Sequence, residues 1–350
     1  MSTTSTRKMY PALDIAKFVM AMLILTQHTC NEWAHSTGIV HAFFGLGNFA
    51  VPFFFACSGF LFFTKLHTLD NSEQKKYYRT WSIRIGKMYL VWSLIYFCFI
   101  FIGWINTGFE FSKILRWTHR SIVFSTYATI WFLPALWLGV SICYWMKRHC
   151  SSIAMTLTAV VLLVIGNSFG SYTYLLAHNS ALATLNDYYI DIFVTWRNGI
   201  FNGAPFVFIG LLIARGIGSK IPQWLNIIAS LAFGIAFLLE AFCISRYKLS
   251  SVTDMGFMMA PAIFFLMNTL INWNLKQRNL WQHCRNLSML VFLSQRLFLT
   301  ALPGVLPWMK QWISSLSQPC IFIYFIVVVL TFSIIIERMS QKFKFLKILW

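Results

Sequence analysis

The residues with the clearest chemical potential are Lys17 and His28, both inside the first apolar stretch of the chain, residues 12–30. That stretch is long enough to cross a bilayer, which takes roughly 20 mostly apolar residues. It nevertheless carries Asp14, Lys17 and His28, and ionisable groups inside a span are costly enough to point to function. Eleven residues separate Lys17 from His28. On a helix that is three turns plus roughly 20°, so both lie on one face, about 16 Å apart along the axis. One face thus offers a cation near one membrane surface and a titratable imidazole near the other. An imidazole with an ordinary pKa of about 6.5 serves as acid or base according to its surroundings. Glu32 lies four residues further on and shares that face if the helix continues, where a carboxylate would orient the ring and raise its basicity. An interfacial histidine facing headgroups is the simpler reading of His28 alone. A metal site would need a third ligand, and although His35 and His41 are near in sequence, no H-E-x-x-H pattern exists; no metal is expected.

Other candidates are spread along the chain. Ser58 and Gly59 are the small, polar break in an aromatic wall. They serve either close helix packing or contact with a substrate. Arg79, Arg84 and Lys87 cluster with tyrosines and Trp81 at the entrance to the third apolar stretch. They are either a positive-inside cluster or forked donors for phosphate. Pro134 starts or kinks the fourth. Arg197, Asn198 and Asn202 open the sixth, where they either cap a helix or hydrogen-bond the hydroxyls of a sugar.

The elements that must position these residues are membrane helices. Of the 350 residues, 58% are hydrophobic and only 11% charged, against about 25% charged in soluble domains. Apolar stretches recur near 12–31, 42–63, 87–105, 127–146, 152–170, 199–215, 224–244, 255–273, 287–304 and 320–337. This predicts an all-α, polytopic bundle of about ten spans forming a single domain over residues 1–350. The longest non-apolar stretches, about 64–86, 106–126 and 171–198, are loop-sized. Between spans, 19 basic residues fall on one side and 7 on the other, which places both termini in the cytoplasm. The formal charge of +18 is explained by that bias and by anionic lipid headgroups, so nucleic-acid binding is not expected. The eight cysteines show no C-x-x-C pair and no metal-ligand spacing. The first stretch is kept as a helix of the mature protein rather than a signal peptide, since it contains Asp14 and Lys17 and no small-x-small site follows Cys30.

Taken in order, LDIAK (13–17) with His28 eleven residues beyond its lysine, PFFFACSGFLFF (52–63), RIGKMYLVW (84–92), WFLPAL (131–136) and RNGIFNGAPFVFIG (197–210) resemble the membrane-bound acyltransferase-3 family. The resemblance runs through essentially the whole chain. It implies an integral-membrane enzyme of about ten helices. Such an enzyme takes an acyl group, usually acetyl, from cytoplasmic acyl-coenzyme A and passes it to a hydroxyl of an extracytoplasmic glycan or lipid-linked saccharide, here in a bacterial-type inner membrane. It further implies that His28 is catalytic; Glu32 is placed beside it by helix spacing alone. Lys17, where the family usually has Arg, and Arg84 fall on the acetyl-CoA side, and Arg79 and Lys87 complete a grip on the coenzyme's phosphates. Ser58, Arg197, Asn198 and Asn202 are left for the acceptor.

Three departures stand out. Lys17 keeps the charge but not the forked geometry of Arg. Lys87 stands where many members have Pro. Near the end of the ninth stretch, where many members have a His, Phe292-Leu293-Ser294 leads to Gln295 and Arg296, which leaves His28 more to do. Direct attack of the acceptor and an acyl-imidazole intermediate both remain open. A transporter or flippase of a polysaccharide or lipid-linked oligosaccharide is the alternative class, although no inverted repeat is visible.

Overall fold

A computed structural model describes residues 9–29, 45–250 and 252–350, and every regular element among them is helical. The helices are α1 (Pro11–Thr29), α2 (Ala50–Leu66), α3 (Asn71–Thr107), α4 (Phe111–Val123), α5 (Phe132–His149), α6 (Ser152–Ser171), α7 (Ser180–Phe193), α8 (Ala204–Ala214), α9 (Gln223–Arg246), α10 (Met259–Ile271), α11 (Asn279–Arg296), α12 (Pro307–Ser315) and α13 (Gln318–Lys342). A short 3₁₀ turn, Leu46–Phe49, runs straight into α2.

Six of these helices, with their short extensions, are long and apolar enough on their own to cross a membrane: Leu46–Leu66, Asn71–Thr107, Ser152–Ser171, Gln223–Arg246, Asn279–Val305 and Gln318–Lys342. The other four stretches expected to span are helical as well. Two of them, α1 and α5, carry Asp14, Lys17 and His28, or Lys147, Arg148 and His149. The remaining two, Gly199–Ala214 and Met259–Ile271, are short. At 1.5 Å per residue the 13 residues of α10 reach only about 20 Å. Both short helices start late because the chain before them, around 195–198 and 253–258, turns inward to line cavities. Irregular backbone at membrane depth is tolerated where it borders a water-filled space.

Burial separates a core from a rim. The apolar stretch of α2 is mostly buried, whereas less than a quarter of those in α3, α6, α9 and α13 is buried. The exposed faces are apolar, as at Leu90, Leu94, Val160, Val161, Leu231 and Val327, the surface that lipid covers. At the centre α2 and α8 lie against each other. A Cβ on Gly210 would come within 2.2 Å of the Ala56 carbonyl oxygen, and one on Gly59 within 2.5 Å of that of Val207. Small residues are what permit such backbone contact between membrane helices. That is the use the fold makes of the small pair Ser58-Gly59: Gly59 is at the contact, while Ser58 is half-buried beside it.

The stretches read as loops prove largely helical. Residues 71–86 are the first half of α3, which runs unbroken for 37 residues; α4 and α7 occupy 111–123 and 180–193. The missed signals are caps. Asp70 Oδ1 accepts from the backbone N–H groups of Ser72 (3.0 Å) and Glu73 (2.8 Å), and these bonds hold the exposed Asp70 carboxyl below its ordinary pKa. Asn179 does the same for Ala181 and Leu182. In α4 the exposed apolar residues Phe111, Leu115 and Ile122 recur at helical spacing among Lys113, Arg116 and Arg120, the pattern of a helix lying in a membrane interface.

Candidate active site

His28 lies in the last turn of α1, where it lines a cavity of about 310 Å³ together with Gln27, Asn48, Arg197, Asp254 and Arg296. The cavity stands at one end of the bundle, where α1 and α11 finish and where the chain enters α2, α5, α8 and α10. The imidazole is held by a residue 267 positions away. Its Nδ1 is 3.0 Å from Gln295 Oε1, and Gln295 is fully buried. The Gln295 amide is itself fixed, because its Nε2 donates to the Phe292 carbonyl at 2.9 Å. Its oxygen is therefore the atom turned to His28, and an amide oxygen only accepts. Nδ1 must carry the proton, which leaves the lone pair on Nε2. No partner for Nε2 exists among the described residues. The end of α11 is braced too: the backbone widens into π-type turns over Leu297–Ala301, and Tyr96 donates from its hydroxyl to the Leu293 carbonyl at 2.6 Å. A second widened segment, Gly199–Gly203, stands at the cavity on α8. Such segments favour functional sites.

Replacing Gln295 by Leu removes the acceptor that sets this tautomer and leaves Nδ1–H buried without a partner. A loss of that kind costs about 1–3 kcal/mol, equivalent to about 5- to 150-fold in rate. Turnover by Gln295→Leu protein at saturating substrates is expected to fall within that range, while Gln295→Glu, which keeps the acceptor, loses less.

A larger cavity of about 490 Å³ adjoins the first. Gln27, Asn48, Arg197 and Asp254 line both. They form two polar contacts at the common boundary, Gln27 Nε2 to Asn48 Oδ1 at 2.6 Å and an ion pair between Arg197 and Asp254. Arg197 also stacks over Trp131, with its Cζ 5.2 Å from the ring centroid. The rest of the larger cavity is rich in hydroxyl and amide groups, among them Asn186, Thr173, Thr195, Ser250 and Thr253.

The loop that brings Asp254 inward is tied by Glu240, six residues and about 9 Å from the end of α9. Glu240 accepts from the N–H groups of Phe257 (2.7 Å) and Met258 (2.9 Å) and from the Tyr172 hydroxyl (2.5 Å). Glu240→Gln turns an N–H group onto a backbone donor. Hydrogen bonds to charged groups contribute about 1.5–3 kcal/mol each, so a lower unfolding temperature in detergent is expected, with reduced transfer as Asp254 loses its position.

The other residues singled out in the sequence are dispersed. Lys17 is nearly buried and pairs with Asp14 at 3.3 Å; Asp14 also approaches Arg285 at 3.8 Å. Arg79, Arg84 and Lys87 are exposed along α3 and line neither cavity, nor does Ser58; Arg84 reaches the Trp350 carbonyl at 3.4 Å. Asn198 is used internally: its Oδ1 caps Ile200 and Phe201, and its Nδ2 donates to the Tyr189 hydroxyl and the Thr195 carbonyl. Asn202 is buried at the cavity, and its Oδ1 has no partner. Glu32 lies outside the described residues. Gln27, Asn48, Asp254, Gln295 and Arg296 were not anticipated as site residues. The one signal that pointed to any of them was the departure at Gln295-Arg296 from the family's histidine.

The fold and the site together define an all-helical membrane protein with a half-buried, oriented imidazole beside a polar cavity. The chain belongs to the acyltransferase-3 family: the family model described as "Acyltransferase domain" matches residues 10–338. An Enterococcus faecalis protein named amino-acid racemase is 26% identical over 282 residues, which cover 77% of this chain and 37% of that protein. The chain thus matches little more than a third of that relative's length, and the racemase name is said of the relative. No solved structure matches the chain.

Proposed function

We propose that this membrane acyltransferase transfers an acyl group, by preference acetyl, from cytoplasmic acetyl-CoA to a hydroxyl of an extracytoplasmic or lipid-linked glycan, in a bacterial-type inner membrane with both termini inside. The observation that carries the reading is the Gln295–His28 contact, which turns a lone pair on Nε2 to the cavity. A neutral imidazole so held is a general base for an alcohol. It takes the hydroxyl proton as the oxygen attacks the thioester carbonyl. The imidazolium then returns the proton to the departing thiolate, so that an ester and free coenzyme A are the products. The hydroxyl- and amide-rich larger cavity suits a polyhydroxylated acceptor, and the Arg197–Asp254 and Gln27–Asn48 contacts lie where that acceptor would pass to His28. The cations Lys17, Arg79, Arg84 and Lys87 are assigned to the acyl donor.

The test is release of free thiol from acetyl-CoA by the purified protein in proteoliposomes, together with mass analysis of surface glycan from cells with and without it. Acetyl-CoA consumption and a glycan heavier by one acetyl per repeat are expected. A protein that consumes no acyl-CoA while the glycan fails to reach the surface would be a flippase instead.

A further inference from the structure

Arg296 is the charge that the site as described leaves unused. Its side chain lines the smaller cavity with His28 and follows directly on Gln295, the residue that holds the imidazole. The other ionised groups at that cavity, Arg197 and Asp254, are paired with each other. Among the described residues Arg296 makes no ion pair and its side chain no hydrogen bond, and its buried Nε has no partner. The charged and titratable groups around it are the phenols of Tyr96 and Tyr127, the imidazole of His28 and the guanidinium of Arg197, none of them a carboxylate. A cation left unpaired away from water is expensive, and a cation beside a general base opposes the very protonation that base must undergo. Both costs are offset if an anion forms at that spot at the moment the proton moves.

We propose, resting on the acyl-transfer reading above, that Arg296 is a catalytic residue that stabilises the tetrahedral oxyanion. As the acceptor oxygen bonds to the thioester carbon, its proton passes to His28 Nε2 and the carbonyl electron pair moves onto oxygen, next to the guanidinium. The imidazolium and oxyanion thus arise together and the net charge of the cavity is unchanged. When the carbonyl re-forms, the C–S bond breaks, and the thiolate takes the proton from His28. Arg296 gains its partner only while the intermediate exists, which is the differential interaction that accelerates a reaction.

The experiment compares wild type with Arg296→Met, Arg296→Lys and Arg296→Ala in proteoliposomes, using one neutral and one carboxylate-bearing acceptor. Removal of one oxyanion donor costs about 10²- to 10³-fold in kcat, so a drop of that size is expected in Arg296→Met for both acceptors, with KM changed little. Arg296→Lys recovers part of the loss, and added guanidinium ion restores turnover to Arg296→Ala saturably. A loss seen only with the acidic acceptor, or a rise in KM with kcat kept, would overturn the proposal and make Arg296 an anchor for the acceptor's acid group. Wild-type kcat in a folded Arg296→Met protein would overturn it outright. Wild type that transfers no acyl group is a different result, because it removes the reading on which the proposal rests. Should Arg296→Met not fold, Arg296→Lys and the guanidinium rescue carry the decision.

Discussion

His28→Ala protein is expected to lose acyl transfer by about 10²- to 10⁴-fold, the range supplied by a positioned general base. It is expected to insert and fold much as wild type does. The reason for the second half is local. His28 is at the end of α1, makes one side-chain hydrogen bond among the described residues, to Gln295, and borders a cavity rather than the packed core. Gln295 keeps its bond to the Phe292 carbonyl, so truncation orphans one acceptor and enlarges a space already present. Initial rates of coenzyme A release, on protein whose elution from a sizing column matches wild type, measure the effect. Activity within about threefold of wild type would exclude both direct base catalysis and an acyl-imidazole, since either needs the ring. His28→Gln is a sharper variant: it keeps a polar group near Gln295 but has no basic nitrogen, and it is expected to be as inactive as the alanine.

The second large effect concerns the frame. Gly210→Val is expected to abolish folded protein, seen as loss of the monodisperse peak in detergent. At Gly210 a Cβ would lie 2.2 Å from the Ala56 carbonyl oxygen and 2.5 Å from the Phe60 nitrogen. Both are backbone atoms in the middle of α2 and cannot swing aside as a side chain does. Overpacking that side chains absorb costs about 1–3 kcal/mol; here α2 and α8 must separate along their length, and with them the starts of both helices at the cavity. Gly210→Ala is expected to give a weaker version, a folded protein of lower unfolding temperature. Gly103→Ala is the control. That glycine is helical with nothing within 4 Å of its Cβ position, and alanine there is expected to be neutral or slightly stabilising, since Ala is the better helix former by about 1 kcal/mol.

The helical character of the chain, its apolar stretches and the presence of a histidine within the first of them were legible in the sequence. Each is written in a short window: a span is a run of apolar residues, and a histidine inside one is conspicuous. The same locality explains the errors. Helices α4 and α7 and the first half of α3 are amphipathic or polar, so hydropathy passed over them, although Asp70 and Asn179 marked two of their starts. For Asn198 the sequence left a helix cap and an acceptor ligand equally open, and its bonds to Ile200 and Phe201 make it a cap. Glu32, chosen to orient His28 because four residues on a helix bring side chains together, lies outside the described residues and is not among these errors.

What the sequence determined by itself is therefore the solvent for which this chain is built, the helices it forms there and the family to which it belongs, because burial of apolar surface and backbone hydrogen bonding act over neighbouring residues. The tertiary structure alone decided the partners. Gln295 meets His28 across 267 residues, Asp254 meets Arg197 from another loop, and among the described residues Arg296 has no carboxylate partner. Those pairings depend on which helix ends converge, and convergence is set by packing of the whole bundle around the α2–α8 contact, which no local pattern encodes.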